Sequence, residues 1–467
     1  VHARAPKPRA VSESTRHRGL AACVTLAALF MAALLALMPA PTRAEVFAPE
    51  SFTLDNGLQV LVVTNRRAPI VTQMLWYKVG AADDPAGKSG LAHVTEHLMF
   101  KGTEDHPDGV FSDIVARHGG RENAFTSYDD TGYYQSVARD RLELMMKLEA
   151  DRMENLVLDP ADVRTESQVV VQERRQRVDN RPQGRLSEMA TASLFLHHPY
   201  GTPVIGWDHE LKTIETADAE AFYERWYAPN NAVLIVAGDV TVDEVKPLAE
   251  KYYGPVPRAE VPERRRLQEP EQTAPRRVEL ESAQVRQPSL SVRYLAPGYR
   301  SAEDTARPYA LQVLSELLGN GPTSRLYRAL VVEQGLAVSA GSWYSPSAWD
   351  ETTFGLYVSP RPDVEMAALE EALRAEIAGL LDNGVTQDEV AEAKARLRAE
   401  VAYARDDIST APRVLGRALV TGQRIADVEA WPERIEAVTP AQVEAAAQAV
   451  LTPKSSVTAI LTGKPTS

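Results

Sequence analysis

The sequence contains a single cysteine, Cys23, and it lies within the first 44 residues. The rest of the chain therefore offers no thiolate to a metal ion and no pair of cysteines for a disulfide bond. Any zinc site in residues 45–467 has to be built from histidine and carboxylate side chains. Histidine is also scarce, with 9 residues in 467, so two histidines close together in the chain are informative.

Basic residues are in the minority, because 51 lysines and arginines stand against 64 aspartates and glutamates, for a formal net charge of −13. An acidic chain lacks the positive surface that binds nucleic acid, so we expect no nucleic-acid partner. A phosphate-binding loop is missing as well. Gly87-Lys88-Ser89 has Ala82 where the P-loop motif needs its first glycine, which argues against an NTPase.

A long apolar run occurs at residues 20–37, after a basic segment and before small residues that end at Ala44. This order is typical of a secretory signal peptide that is cleaved after Ala44. Cys23 precedes most of the apolar run, which argues against a lipoprotein attachment site. We expect residues 1–44 to be removed and the mature protein to be periplasmic or secreted, without stable membrane insertion. Retention of the segment as a membrane anchor is the alternative.

Removal of this segment makes the protein more acidic. Residues 1–44 hold six lysines and arginines and one glutamate, so the net charge of the remaining chain falls from −13 to −18. Such a balance suits a soluble exported protein.

The most informative motif is His93-Val-Thr-Glu96-His97, in a segment predicted to form a short helix. Helical residues are about 100° apart, so His93 and His97 lie one turn apart on one face, with Glu96 on the same side. Two imidazoles placed in this way can hold one metal ion, and the carboxylate can reach a water on it. The pattern is the zinc-peptidase motif H-E-x-x-H in reverse order. The alternative is an amphipathic helix with ordinary histidines.

A catalytic zinc ion takes three protein ligands and keeps one open position, and Glu173 is a candidate for the third ligand. It lies in a predicted helix that begins near Pro160. Glu166 lies seven residues earlier, on nearly the same face of that helix. Solvated surface glutamates are the ordinary alternative, which the residues alone leave open.

Together these motifs resemble the pitrilysin/insulinase family of zinc metallopeptidases, in which H-x-x-E-H is followed by a glutamate ligand at the spacing found here between His97 and Glu173. The resemblance implies that His93, His97 and Glu173 bind one Zn²⁺ per chain and that Glu96 is the general base. It also implies that Glu166 contacts the ligands and not the metal.

The segment 118–134 by itself predicts a hairpin with aromatic packing. In the family, its N-A-x-T portion is an exposed strand edge beside the zinc, where a peptide substrate pairs its backbone. The resemblance therefore implies a substrate-binding role for four residues, namely Asn123, Ala124, Phe125 and Thr126.

Strand-like and helix-like stretches alternate along the chain, and a proline-rich, charged stretch at 256–277 is predicted to be a linker. It separates an N-terminal domain, 45–255, from a C-terminal domain, 278–467. Helix 310–318 resembles 91–98 with apolar residues at the ligand positions. The family resemblance implies an α+β fold of two related domains that enclose a peptide chamber. Each domain has a mixed, mainly antiparallel sheet with packed helices, and the second has no metal site.

One departure from the family lies in the second half. Active members use an arginine and a tyrosine of the C-terminal domain to bind substrate and stabilise the transition state, and Val331 and Val338 stand at those positions. Arg325, Tyr327 and Arg328 are nearby donors at other positions. A complete metal motif without the Arg/Tyr pair resembles the catalytic subunit of heterodimeric bacterial members and the beta-type subunit of the mitochondrial processing peptidase. The resemblance implies a related partner subunit that supplies the pair.

The sequence thus predicts an exported zinc endopeptidase that hydrolyses unfolded or short peptides with a metal-activated water, as the catalytic subunit of a heterodimer. A homodimer is the alternative assembly. The alternative functions are a non-catalytic core or assembly subunit of the same fold and a dedicated maturation protease for one peptide precursor.

Overall fold

The computed structural model describes residues 2–6 and 46–464. The chain divides into two units, Val1–Glu45 and Val46–Ser467. In the first unit, the described residues 2–6 have no regular secondary structure and are exposed. The rest of the predicted signal peptide, including Cys23, lies outside the described residues. Among the helices that the structure describes, none combines the length and the apolar character needed to cross a membrane.

The second unit begins with a six-stranded sheet in the order β1-β2-β6-β3-β5-β4. Its strands are Glu50–Thr53 (β1), Gln59–Thr64 (β2), Ile70–Tyr77 (β3), Arg121–Thr126 (β4), Thr131–Ala138 (β5) and Ala232–Gly238 (β6). β2 and β6 are parallel, and the other neighbours are antiparallel. β4 is an edge strand that pairs with β5 alone.

Helices of the first half follow the chain between these strands and after them. Their bounds are Leu91–Leu98 (α1), Val110–Arg117 (α2), Leu142–Asn155 (α3), Pro160–Arg174 (α4), Pro182–Leu194 (α5), Asp208–Leu211 (α6), Thr216–Trp226 (α7) and Val242–Tyr252 (α8). A π-helical stretch, Arg175–Asp179, continues α4. Short 3₁₀ turns occur at Ala81–Asp83, Arg139–Arg141, Pro199–Gly201 and Pro229–Asn231.

The second half contains a five-stranded sheet in the order β7-β11-β8-β10-β9. Its strands are Arg276–Glu281 (β7), Ser289–Ala296 (β8), Ala337–Tyr344 (β9), Thr352–Pro360 (β10) and Ser456–Thr462 (β11). Its helices are Arg307–Gly319 (α9), Met366–Asn383 (α10), Gln387–Ala404 (α11), Thr410–Val420 (α12), Ile425–Glu429 (α13), Trp431–Glu436 (α14) and Pro440–Val450 (α15). A π-helical stretch at Tyr327–Glu333 and a 3₁₀ turn at Pro453–Ser455 complete it.

The two sheets have the same topology except for β1. Each has one parallel pair, β2/β6 in the first and β7/β11 in the second, followed by three antiparallel strands. The helix that carries the histidine motif lies between β3 and β4, and α9 lies between the corresponding β8 and β9. The predicted α+β fold of two related halves is confirmed.

Alternate residues of β3 pack on opposite faces of the first sheet, as the two-residue period of a strand requires. Leu75 and Tyr77 enter the core formed with helices of the first half. Met74 and Trp76 pack on the other face against Leu415 and neighbouring residues of α12. This face of the first sheet is therefore covered by a helix that comes from the second half of the chain.

The second sheet receives a helix in return. Leu186, Ala190 and Leu194 of α5 pack against Val457 and Leu461 of β11. This reciprocal packing explains why Val46–Ser467 forms one compact unit, because separating the halves would expose both apolar faces to water.

The predicted linker 256–277 can be compared with the observed elements. β7 begins at Arg276, inside the end of the predicted linker 256–277. Residues 257–273 of that linker have no regular secondary structure. The domain limits 45–255 and 278–467 stay predictions.

Candidate metal centre

The short helix α1 is held at its N-terminus by a carboxylate. Gly90 precedes it with a φ of 88°, in the left-handed region that glycine tolerates best. Asp84 accepts hydrogen bonds from the backbone N–H groups of Gly90 at 2.7 Å and Ala92 at 2.8 Å. Leu91 and Leu98 enter the core. The helix is thus fixed at its start and along its inner side, which sets the direction of its histidines.

The structure brings His93, His97 and Glu173 together from α1 and α4, with one possible ligand atom of each within 4.8 Å of the others. Glu173 Oε2 lies 3.6 Å from Nε2 of His93 and 3.6 Å from Nε2 of His97. Ligand atoms at normal zinc distances and tetrahedral angles are about 3.4 Å apart. The three groups therefore fit a zinc ion, and in the described part of the chain they form the one such cluster.

The pKa values of His93 and Glu173 are shifted in the direction that suits binding of a cation. Burial lowers the pKa of His93 to about 4, and the neighbouring His97 adds to the shift, so this imidazole is neutral at pH 7, as a metal ligand must be. The hydrogen bond with His97 lowers the pKa of Glu173. Burial lowers the pKa of His97, but its hydrogen bonds with Glu173 and Glu166 outweigh burial and raise it overall.

A second carboxylate contacts His97 on the side of the imidazole away from Glu173. Glu166 Oε2 lies 3.1 Å from His97 Nδ1, and Lys101 Nζ lies 2.9 Å from Glu166 Oε1. Because Nδ1 is engaged in this way, the Nε2 atom of His97 is left to face Glu173. Sequence reasoning placed Glu166 near the ligands but missed Lys101. The available signal for Lys101 was its position one helical turn after His97, at the end of the same motif.

Arg177 also contacts the cluster and was missed by sequence reasoning. Its Nη1 lies 2.7 Å from Glu173 Oε1, the oxygen that does not face the histidines. The i,i+4 spacing of the two residues was the available signal, since oppositely charged residues at that spacing meet on a helix.

Glu96 is not one of the three candidate ligands, but its side chain lines a cavity together with them. Thr126, the last residue of β4, donates a hydrogen bond from Oγ1 to Glu96 Oε2 at 2.6 Å. Burial raises the pKa of Glu96, although the Thr126 hydrogen bond opposes the shift. A carboxylate with a raised pKa beside a metal site is suited to taking up and releasing a proton.

These groups line a cavity of about 970 Å³. The edge strand β4 contributes Asn123, Ala124, Phe125 and Thr126 to the lining, and the end of α4 contributes Glu173 and its neighbours. All of the described residues that line the cavity lie between positions 93 and 205. The four residues predicted to bind substrate are thus adjacent to the metal cluster.

The second half of the chain brings none of its described residues to this cavity. Val331 packs partly against the core of the second half, and the side chain of Val338 is exposed. Arg325 pairs with Glu389 at 2.8 Å, and Arg328 pairs with Glu333. These arginines, and Tyr327, are not among the described residues that line the cavity.

Two family models, both described as peptidase family M16, match different parts of the chain. The family model described as "Insulinase (Peptidase family M16)" matches residues 59–208, and the model described as "Peptidase M16 inactive domain" matches residues 213–397. A Helicobacter pylori protein described as "Zinc protease PqqE" is 33% identical over 372 residues, which cover 79% of this chain and 83% of that protein. An uncharacterized zinc protease of Mycobacterium leprae is 30% identical over 410 residues, covering 85% and 88%.

Solved structures agree with this result. The crystal structure of a protease from Helicobacter pylori matches with a TM-score of 0.82 and 29% identity, covering 88% of this chain and 99% of that chain. The periplasmic protease PqqL from Escherichia coli matches with a TM-score of 0.75 and 20% identity, covering 91% of this chain and 48% of that chain. The second likeness is one of fold.

Proposed function

Because the chain belongs to the insulinase family of peptidases, family M16, we propose that it is a zinc-dependent endopeptidase that hydrolyses unfolded or short peptides. The observation that carries the proposal is the convergence of His93 Nε2, His97 Nε2 and Glu173 Oε2 beside the carboxylate of Glu96. Zinc held by these three groups would supply a Lewis acid and lower the pKa of a water to about 7.

Glu96 is the proton carrier in this proposal. Its carboxylate accepts a proton from the water that adds to the scissile carbonyl carbon. It then donates that proton to the amide nitrogen as the C–N bond breaks, so that an acid and an amine are released. Since Thr126 engages Oε2, the other oxygen, Oε1, is left for this transfer.

The edge of β4 supports the preference for unfolded or short peptides. β4 pairs with β5 on one side only, and its residues from Asn123 to Thr126 line the cavity. An unpaired strand edge binds an extended backbone through main-chain hydrogen bonds, whatever the side chains of the peptide. A folded protein offers few such segments, whereas a flexible peptide can adopt this conformation.

A partner subunit forms part of the proposal. The cavity is lined by described residues of the first half alone, and apolar Val331 and Val338 stand where the family's arginine and tyrosine are expected. The match to PqqL covers only 48% of the PqqL chain. PqqL therefore contains about as much chain outside the matched part as within it. We propose that a related subunit plays the corresponding role here and supplies an Arg/Tyr pair.

Export of the protein is proposed on the order of basic, apolar and small residues in 1–44. PqqL, a structure of the same fold, is described as a periplasmic protease. N-terminal sequencing of the mature protein tests this point, with Glu45 expected as the first residue.

The alternative, a non-catalytic core or assembly subunit, is favoured by one observation. Residues 213–397 match a family described as an inactive domain. That description concerns the half without a metal cluster, however, and His93, Glu96, His97 and Glu173 all lie outside it. A subunit with a purely structural role has no need for these four residues.

The deciding experiment measures zinc content and cleavage of a flexible fluorogenic peptide by the mature chain, with and without a co-purified partner. We expect about one zinc per chain and chelator-sensitive cleavage, because the structure offers one cluster. A zinc-free protein, or a zinc-loaded protein without cleavage in either preparation, would favour the non-catalytic alternative.

A further inference from the structure

Apart from His93 and His97, the cavity beside the metal cluster has one basic side chain among its described lining residues, Arg177. Arg177 lies in the π-helical stretch Arg175–Asp179 that continues α4. Its side chain is 68% exposed, whereas that of its partner Glu173 is 17% exposed. The guanidinium is therefore accessible to a peptide that enters the cavity.

The pair with Glu173 leaves most of this guanidinium unused. Nη1 contacts Glu173 Oε1 at 2.7 Å, and the structure shows no other side-chain partner for Arg177 in the described part of the chain. A guanidinium donates from Nε and from both Nη atoms in a planar fork that matches a carboxylate. Arg177 can thus hold Glu173 with one nitrogen and offer Nη2 and Nε to a ligand.

The charge of the cavity also favours an anion. Glu96, Glu173 and Arg177 are its charged lining residues, and a bound divalent cation would leave the cavity with a net positive charge. The protein as a whole carries −13. A local positive site in an acidic protein attracts a carboxylate at short range, where the charge of the cavity dominates over the more distant surface charge.

We propose that Arg177 binds a carboxylate of the peptide substrate and thereby selects peptides with an acidic group close to the scissile bond. This inference rests on the proposed function, because it assigns a specificity to the same cavity. The carboxylate can come from an aspartate or glutamate side chain or from the C-terminus of a short peptide, since both present the same group.

The test compares the binding of matched peptides by fluorescence anisotropy. The protein is the zinc-loaded mature chain with Glu96→Gln, which keeps the peptides intact. Neutral, C-terminally amidated peptides receive Glu, Gln or Lys at each internal position in turn. A further Gln peptide with a free C-terminus separates the two sources of carboxylate. We expect the best Glu peptide, or the free-acid peptide, to bind about fivefold more tightly than its neutral match, and the Lys peptide to bind more weakly.

Arg177→Gln should abolish this difference, and high salt should reduce it. Arg175→Gln is the matched control, because it removes the same charge from the same helical stretch at an exposed residue that does not line the cavity. Equal affinity for all peptides, an acidic preference that survives Arg177→Gln, or no peptide binding would overturn the inference. Zinc content and hydrolysis of a neutral peptide by the unmutated chain are measured separately, so failure of the proposed function is distinguishable from failure of this inference.

Discussion

Arg396 Nε contacts Glu316 Oε1 at 2.5 Å, at the place in the second half that corresponds to the candidate metal site of the first. Glu316 belongs to α9, the counterpart of α1, and it takes the position of Glu96 when Val313 and Leu317 are aligned with His93 and His97. Both of these apolar residues are buried. A guanidinium thus provides the positive charge beside this glutamate, and no histidine remains to bind a metal ion. Both halves contain this helix and its glutamate, but only the first half has the two histidines that could bind a metal ion.

The first prediction compares these two glutamates. Glu96→Gln should retain zinc but lower peptide hydrolysis about 10²–10⁴-fold, because the proton carrier is lost and the ligands are kept. Glu316→Gln is the matched control. It should leave zinc content and hydrolysis unchanged but lower the melting temperature, since it breaks an ion pair whose carboxylate is buried. Zinc analysis, hydrolysis rates and thermal melts of both variants check the prediction. Near-normal hydrolysis by Glu96→Gln would contradict it.

The second prediction concerns the third ligand. Glu173→Ala should lower zinc affinity far more than Glu166→Ala, because Oε2 of Glu173 faces both histidines whereas Glu166 contacts the far nitrogen of His97. Loss of a group behind a ligand typically costs about 10–100-fold in metal affinity. Competition with a calibrated chelator measures both constants. Equal zinc retention by the two variants would show that the assignment is wrong.

The third prediction concerns Thr126, which donates a hydrogen bond to Glu96. Thr126→Val keeps the shape of the side chain but removes the hydrogen bond to Glu96 Oε2, so we expect kcat to fall about tenfold or more, with zinc content unchanged. Thr126→Ser retains the hydroxyl and should recover most of the activity. A change in KM alone, with kcat preserved, would show that Thr126 contacts substrate but does not position the base.

Part of this candidate site could be predicted from the sequence. The order of residues in 93–97 was enough to predict α1 and the common face of its two histidines, because helical periodicity is local. Glu173 was a candidate third ligand from its predicted helix, and the spacing between His97 and Glu173 assigned it as a ligand only through the family resemblance. The hydrogen bond from Thr126 to Glu96 was not predictable, since it depends on how β4 packs beside α1.

The packing of two helices on the sheet of the opposite half was not predictable for the same reason. Nothing in the composition of 182–194 or 410–420 indicates that each covers the sheet of the other half. The predicted linker 256–277 rested on proline and charge. Its arginines in fact reach back to the first half, where Arg266 pairs with Asp83 at 2.6 Å. Such contacts follow from the tertiary fold and leave no periodic pattern in the sequence.

The fourth prediction uses the buried carboxylate of Asp130, which lies 3.1 Å from Arg417 of α12. Burial raises the pKa of Asp130 to about 6, although Arg417 opposes the shift. The folded state therefore holds this proton more tightly than the unfolded state. The contribution to stability is fully present below the unfolded pKa near 3.8 and is lost as the pH rises through about 6.

Asn at position 130 cannot titrate. As the pH rises from about 4 to 7, the unfolding free energy of the original protein should therefore fall relative to that of Asp130→Asn. Urea unfolding of both proteins across this pH range measures the difference. A difference that is constant with pH, or that shifts in favour of the original protein, would contradict the assigned pKa.

The last prediction is that this chain alone is a poor enzyme. Val331 and Val338 cannot donate a hydrogen bond to an oxyanion, and no described residue of the second half lines the cavity. Loss of one such donor costs about 10²–10³ in kcat, so a chain without the pair should be severely impaired. We expect a partner of related fold, with a degenerate metal motif and an Arg/Tyr pair, to raise kcat by about this factor or more when mixed with the chain. Substitution of the partner's arginine or tyrosine should remove the gain, whereas Glu96→Gln in this chain should remove activity whatever the partner. Full activity of the homogeneous chain, unchanged by any co-expressed relative, would mean that its own donors suffice, and Arg325, Tyr327 and Arg328 would be the next to substitute.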